Sequence, residues 1–263
     1  MFEAGVHFGH KKQNSDARGS ANFFGVKNKV VVINLEKTRA ALELALSFLA
    51  KEAQKGSLML FVGTKPQAKD KVEEVAKKLN MPFVTNRWLG GTLTNFDTIK
   101  KSVKHLDEME AELNDAGKNE TRTKKEGLML ARRIENIKYN LSGMSEVKQR
   151  PDLLVVIGAQ EEENAINEAL TQGIPTVAIL DTDANPKKVT YPIPANDKSP
   201  KSINMILDLI GDVISAHYKP KSVAPLEDKN AETDKNKVNT SAKWDDMTST
   251  DDIKKLRERT SAG

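Results

Sequence analysis

The stretch that decides the fold is RWLGGTLTNF, residues 87–96, because it joins two different kinds of sequence. Before it, short apolar runs alternate with helical patterns. After it, residues 97–149 are highly charged and have heptad-like spacing of their apolar positions. We therefore predict that this loop lies at the root of a long helical projection, an arrangement that suits an assembly protein better than an enzyme.

The loop itself combines residue types that suit a fixed junction. Arg87 and Trp88 place a planar cation beside an aromatic ring, and two glycines allow a sharp turn or a close backbone approach. Thr94 and the acidic Asp97 predict a helix N-cap with an acid in the first turn. We expect Trp88 to bury its ring under the departing helix, with stacking on an RNA base as the alternative. The residues predicted to build this root are Trp88, Gly90, Gly91, Thr94 and Asn95.

Five short apolar runs predict buried parallel strands, because most are apolar on both faces. They are residues 30–33, 58–62, 83–84, 153–157 and 176–180. Helical patterns alternate with them, at 38–54, 68–79 (opened by a capping box of Thr64 and Gln67), 161–170 and 200 to about 217. This alternation predicts an α/β fold with a doubly wound parallel five-stranded sheet.

The insertion at 97–149 predicts an antiparallel coiled-coil helical hairpin. Apolar residues from Ile99 to Leu113 recur every three or four positions, and those from Leu130 to Met144 follow four-three spacing. Thr123 and Glu126 predict a capping box at the start of the second helix. The predicted domains are an α/β domain of residues 1–96 and 150–220, the hairpin at 97–149, and a polar, disordered tail at 221–263.

Composition excludes several classes of function. The 263 residues include no cysteine, which excludes thiolate catalysis and disulfides and is typical of a reducing compartment. No apolar run is long enough to span a membrane and the N-terminus does not resemble a signal peptide, so we expect a cytoplasmic protein. The net charge is +4, but basic residues dominate up to residue 150 and acidic ones from 151 to 220. Such asymmetry suggests one side that faces a polyanion.

Two motifs leave alternatives open. Gly63-Thr64-Lys65 follows a strand and opens a helix, but it is too short for a nucleotide P-loop, so a contact to an RNA phosphate is the favoured interpretation. His7 and His10 could share a metal with carboxylates such as Asp181 or Asp197. Hydrogen-bonded histidines beside a phosphate, or at the domain edge, are favoured instead. No catalytic triad or nucleophile elbow is identifiable in the sequence. We expect a protein without enzymatic activity, cofactor or bound metal.

Several segments together resemble the bacterial small-subunit ribosomal protein 2 family. They occur in the family's order, at residues 3–10, 33–38, 62–65, 87–96, 174–182 and 191–197. The ten-residue segment at 87–96 is the most specific of them. One departure is residues 13–21, where the family usually has Trp-Asn-Pro-Lys-Met. A second is that the family normally has a few more residues before the position of Glu3.

The resemblance implies a flavodoxin-like sheet with a protruding hairpin, and a structural, non-catalytic role in the small ribosomal subunit during translation. It implies small-subunit ribosomal RNA and other small-subunit ribosomal proteins as partners, with no membrane and no small-molecule substrate. The alternatives are a nucleotide-binding α/β enzyme and a coiled-coil adaptor that binds only proteins. The residues predicted to contact RNA are Lys11, Lys12, Arg18, Lys27, Lys29, Lys65, Arg87, Lys100, Lys101 and Lys104.

Overall fold

The computed structural model describes residues 1–114, 123–145, 147 and 149–219. Its strands are β1 Phe8–Lys11, β2 Phe23–Lys27, β3 Val30–Ile33, β4 Met59–Val62, β5 Phe83–Val84, β6 Leu153–Ile157, β7 Thr176–Leu180 and β8 Tyr191–Pro194. Its α-helices are α1 Leu35–Gln54, α2 Pro66–Lys78, α3 Phe96–Asn114, α4 Lys124–Leu141, α5 Glu163–Thr171 and α6 Pro200–His217. The predicted tail at 221–263 lies outside the described residues, as do residues 115–122 of the predicted hairpin.

The main sheet has five parallel strands in the order β5-β4-β6-β7-β8, which confirms the predicted α/β architecture. Every residue of β4, β6 and β7 is buried, because core residues cover both faces of the sheet. The described residues form two hydrophobic core clusters, and alternate residues of β6 belong to different ones. Leu153 belongs to the first cluster and Leu154 to the second. The first cluster contains the buried sides of α1, α2 and α6, and the second contains those of α5 and the start of α3.

One strand assignment from the sequence is wrong, and one strand was missed. Val30–Ile33 does not join the main sheet but forms the centre of a second, antiparallel sheet in the order β1-β3-β2. The fifth parallel strand is instead Tyr191–Pro194, which pairs with β7 at the edge of the main sheet. Its two prolines lack N–H groups, and a strand with one neighbour tolerates this loss.

Helix starts were predicted with mixed success. The capping box of Thr123 and Glu126 is confirmed at the start of α4. The predicted capping box of Thr64 and Gln67 is wrong, because α2 begins at Pro66 without any side-chain cap. Thr64 instead donates its backbone N–H to Oε1 of Glu162 at 2.7 Å, which is a contact that local sequence does not reveal.

Helices α3 and α4 occupy the predicted insertion and contact each other. Met109, Ile134 and Leu141 are buried, and all three belong to the apolar positions on which the prediction was based. None of the helices among the described residues is both long and apolar enough to cross a membrane.

Candidate nucleic-acid interface and hairpin root

The loop at residues 87–96, called the root loop below, is arranged around one carboxylate that the sequence did not single out. Oε1 of Glu168 on α5 accepts hydrogen bonds from Trp88 Nε1 at 3.0 Å and from the backbone N–H of Gly91 at 2.9 Å. Oε2 accepts from the backbone N–H groups of Leu93 at 3.0 Å and Thr94 at 3.2 Å. The Thr94 hydroxyl donates to the same oxygen. Five donors of the root loop therefore converge on Glu168.

These hydrogen bonds favour the ionised carboxylate. Burial by itself raises the pKa of Glu168, but the bonds from Trp88, Leu93, Gly91 and Thr94 outweigh burial, and the pKa lies below its usual value. The sequence signal for this role was weak: Glu168 is an acid directly beside the buried Ala169 on an otherwise amphipathic helix.

The predicted root residues have distinct positions. Gly91 has a φ of 90°, which an L side chain rarely adopts, whereas nothing lies within 4 Å of a Cβ placed on Gly90. Trp88 is half-buried against the second core cluster. The prediction of Thr94 as the N-cap is wrong, because α3 begins at Phe96 and the carbonyl of Asn95 accepts its first helical N–H groups. Thr94 uses its hydroxyl for Glu168 instead.

A second contact at the root lies where α4 ends, beside the edge strand β5. A Cβ placed on Gly143 would lie 2.6 Å from Cδ2 of Phe83 and closer still to the Phe83 carbonyl oxygen. Asn86 donates from Nδ2 to the carbonyl of Tyr139 at 2.5 Å. Backbone therefore approaches backbone where α4 ends, and only glycine fits at position 143.

The crevice where a nucleotide would bind in such a fold lies beyond β4 and β6, at the point where the strand order reverses. Here it is filled by the chain's own charges. Lys65 is 7% exposed, and its Nζ lies 2.7 Å from Asp197 Oδ1 and 3.0 Å from Glu161 Oε2. Burial by itself lowers the pKa of Lys65, but these two carboxylates outweigh it, and the pKa lies above its usual value. An incoming phosphate would meet carboxylates, so this crevice does not favour the nucleotide-binding alternative.

His10 is also held by acidic side chains. Its Nδ1 lies 3.0 Å from Asp181 Oδ2 and its Nε2 lies 3.4 Å from Asp183 Oδ2. The hydrogen bond to Asp181 is the largest cause of a raised His10 pKa. His7 instead stacks on the ring of Phe2, and its ring also contacts that of Phe8 at a tilt of 38°. Across the described ranges, no group of three or more possible ligands is arranged to hold a metal ion.

The basic residues predicted to contact RNA fall into three groups. Four are exposed on or beside the antiparallel sheet and form no ion pair with any described residue: Lys11, Lys12, Lys27 and Lys29. A second group surrounds the start of α3, where Arg87, Lys101 and Lys104 are exposed and Lys100 is half-buried. The remaining two are engaged by acids, with Arg18 in a bidentate contact to Asp16 and Lys65 in the crevice described above.

The fold and these contacts define a binding scaffold in which internal ion pairs occupy the usual ligand crevice and a fixed loop carries a helix pair. The family model for ribosomal protein S2 matches residues 1–216. The chain belongs to the ribosomal protein S2 family, which is non-enzymatic.

Individual relatives support the same assignment. Small ribosomal subunit protein uS2 of Francisella tularensis subsp. tularensis (strain WY96-3418) is 43% identical over 233 residues, covering 88% of this chain and 97% of that protein. The protein of the same name from a Nitratiruptor species is 42% identical over 214 residues, covering 81% of this chain and 80% of its own length. The resemblance found in the sequence is therefore confirmed.

Proposed function

We propose that this chain acts in translation as a structural constituent of the small ribosomal subunit, where it binds ribosomal RNA and neighbouring ribosomal proteins. The observation that carries this is the family match, which extends over every helix and strand described up to residue 216. The filled crevice at Lys65 supports a role without chemistry, because the ligand position of the fold is already occupied.

The proposed RNA contacts are the exposed lysines of the antiparallel sheet and the basic residues at the start of α3. Lys11, Lys12, Lys27 and Lys29 support the first contact, because they are exposed and have no acidic partner among the described residues. Arg87, Lys100, Lys101 and Lys104 form the second. Phosphate contacts of this kind fix position and do not read sequence. Arg18 would have to exchange Asp16 for a phosphate, and the buried position of Lys65 favours an internal role for it.

We also propose that α3 and α4 form an antiparallel coiled coil that projects from an α/β domain of residues 1–96 and 150–220. The contact between the two helices and the buried Met109, Ile134 and Leu141 support this packing. The Glu168 contacts and the Gly143 approach to β5 support a fixed root, with Trp88, Gly91 and Asn95 as its structural residues.

Sedimentation of ribosomal subunits through sucrose tests the function. We expect the chain to travel with small subunits at low salt and to detach as salt rises, because phosphate contacts release counterions. The double variant Lys11→Glu/Lys12→Glu is expected to detach at lower salt and with a shallower salt dependence. The matched control is Lys51→Glu/Lys201→Glu, which reverses two exposed lysines on α1 and α6 and is expected to behave as the unchanged chain. Absence of the chain from small subunits at low salt would contradict the proposed function.

A further inference from the structure

The antiparallel sheet has one open face with an unusual composition. Cross-strand neighbours in a sheet point to the same side, and β3 alternates between buried Val31 and Ile33 and half-buried Val30 and Val32. Its outer face therefore contains two rows. One row is Phe8, Val32 and Gly25, and the other is Lys11, Val30 and Lys27. We call these six residues the outer face.

An aromatic column stands at one end of this face. The rings of Phe2 and His7 are stacked with centroids 4.5 Å apart and an interplanar angle of 5°, and the His7 and Phe8 centroids are 4.1 Å apart. Phe2 is 70% exposed and Phe8 is 53% exposed. Two exposed phenylalanine rings against one histidine form the kind of exposed apolar surface that marks an interaction site.

The column is held by the α/β domain. Asn196 donates its backbone N–H to the Val6 carbonyl at 3.0 Å and its Nδ2 to the Gly5 carbonyl at 3.0 Å. Val6 is fully buried in the core of the main sheet. Gly5 has a φ of 70°, and its N–H donates to the Phe2 carbonyl at 2.9 Å. This tight turn places the Phe2 ring against the His7 ring. The exposed rings are therefore preorganised, which reduces the entropic cost of binding.

We propose that this outer face and the aromatic column stack unpaired bases of ribosomal RNA, while Lys11 and Lys27 contact the adjoining phosphates. The two rows of the face lie about 7 Å apart, since they are two residues apart along β3. A base on Phe8 and Val32 thus lies beside two ammonium groups. Duplex RNA offers no free base face, whereas single strands are recognised by stacking on aromatic rings. The lysines favour RNA over an apolar protein surface, because apolar protein contacts are depleted in lysine.

This inference rests on the proposed function and adds the form of RNA that is bound. The test measures fluorescence anisotropy of the full chain with two probes, a labelled single-stranded RNA and a labelled duplex RNA of equal length. Phe2→Leu and Phe8→Leu keep apolar bulk but remove the flat ring. We expect each to weaken single-strand binding by about 5- to 150-fold, the loss expected for one stacked base, and to leave duplex binding unchanged.

Two further variants keep the test decisive. Nothing lies within 4 Å of a Cβ placed on Gly25, so Gly25→Val should fold normally while it adds bulk on the edge strand β2, beside Val32 of the outer face. It should weaken single-strand binding as the phenylalanine variants do. Tyr139→Leu is the matched control, because Tyr139 is 57% exposed but lies on α4. Thermal melting of each variant verifies that it is folded.

Each outcome has a defined meaning. If the ring variants bind both probes as the unchanged chain does, while Lys11→Glu/Lys27→Glu weakens both, base stacking is refuted and RNA binding stands. If the ring variants keep full RNA affinity but subunits that contain them lose a neighbouring ribosomal protein, the face is a protein contact and the proposal fails. If the unchanged chain binds neither probe and is absent from small subunits, the proposed function fails as well.

Discussion

Replacement of Glu168 by glutamine is the sharpest test of how the root loop is held. The carboxylate accepts hydrogen bonds at both oxygens from five donors of residues 88–94. Glutamine has nearly the same shape, but one of its two terminal atoms is an NH₂ group that can only donate. At least two of the donors would then face another donor. A hydrogen bond to a charged acceptor contributes about 1.5–3 kcal/mol. Since Glu168 is half-buried and water can replace part of the loss, we expect Glu168→Gln to lower the free energy of unfolding by about 2–4 kcal/mol.

The control lies on the same helix. Glu163 begins α5, is 49% exposed and pairs with Lys188, so Glu163→Gln removes the same charge without a cluster of donors. An exposed ion pair contributes about 0–1 kcal/mol. Urea unfolding of the full chain compares the two variants, and hydrogen exchange of the Gly91, Leu93 and Thr94 amides shows whether the loss is local. Equal stability of the two variants, or unchanged protection of those amides, would refute the reasoning.

The same contact predicts a pH dependence. The pKa of Glu168 is lower in the folded chain than its ordinary value, so the unfolded chain binds the proton more readily. The stabilisation by the carboxylate is therefore fully present above the ordinary glutamate pKa of about 4.3 and is lost as the pH falls through the lower, folded value. The difference in stability between the unchanged chain and Glu168→Gln should shrink over that acidic range. A difference that is constant with pH would contradict this assignment.

Three further tests, with four substitutions in all, address separate parts of the structure. Trp88→Ala should lower the free energy of unfolding by about 2–4 kcal/mol, below the usual 3–5 for a fully buried aromatic because the ring is half-buried; an unchanged melting temperature would favour a base-stacking role. Gly143→Ala should destabilise the chain by more than about 2 kcal/mol, because its Cβ would meet the backbone of Phe83. Gly90→Ala is the control, and it should change stability by less than about 1 kcal/mol in the same thermal melts. Lys65→Met should lower the free energy of unfolding by about 3–5 kcal/mol, since it leaves the buried Asp197 carboxylate without a countercharge. A neutral effect in urea unfolding, with a loss of RNA affinity, would instead support a phosphate contact.

Local signals in the sequence were sufficient for much of the fold. Neighbouring residues alone were enough to recognise the apolar runs of β6 and β7 and the capping box at Thr123. The run at 30–33 failed because four β-branched residues in succession look the same whether one face or both faces are covered. Tyr191–Pro194 was missed as a strand because its prolines argue against a central strand, and they are tolerated only at an edge.

The candidate site was harder to predict because its decisive contacts join distant parts of the chain. Glu168 lies 74 to 80 positions from the root-loop groups that it accepts from, and Glu162 lies 98 positions from Thr64. No periodicity or spacing reveals such pairs. The loop was recognisable as special from its composition, but the carboxylate that organises it was visible only as an acid beside a buried face.

These long-range contacts also explain the charge asymmetry of the sequence. The acidic segment from 151 to 220 directs much of its charge inward, toward groups of the basic N-terminal part. Glu161 and Asp197 pair with Lys65, Glu168 accepts hydrogen bonds from the root loop, and Asp181 pairs with His10. The lysines at 11, 12, 27 and 29 receive no such partner among the described residues. The acidic side chains of residues 151–220 therefore pair with Lys65 and His10 and not with these four exposed lysines. An external polyanion such as RNA gains the most binding free energy where the lysines have no acidic partner.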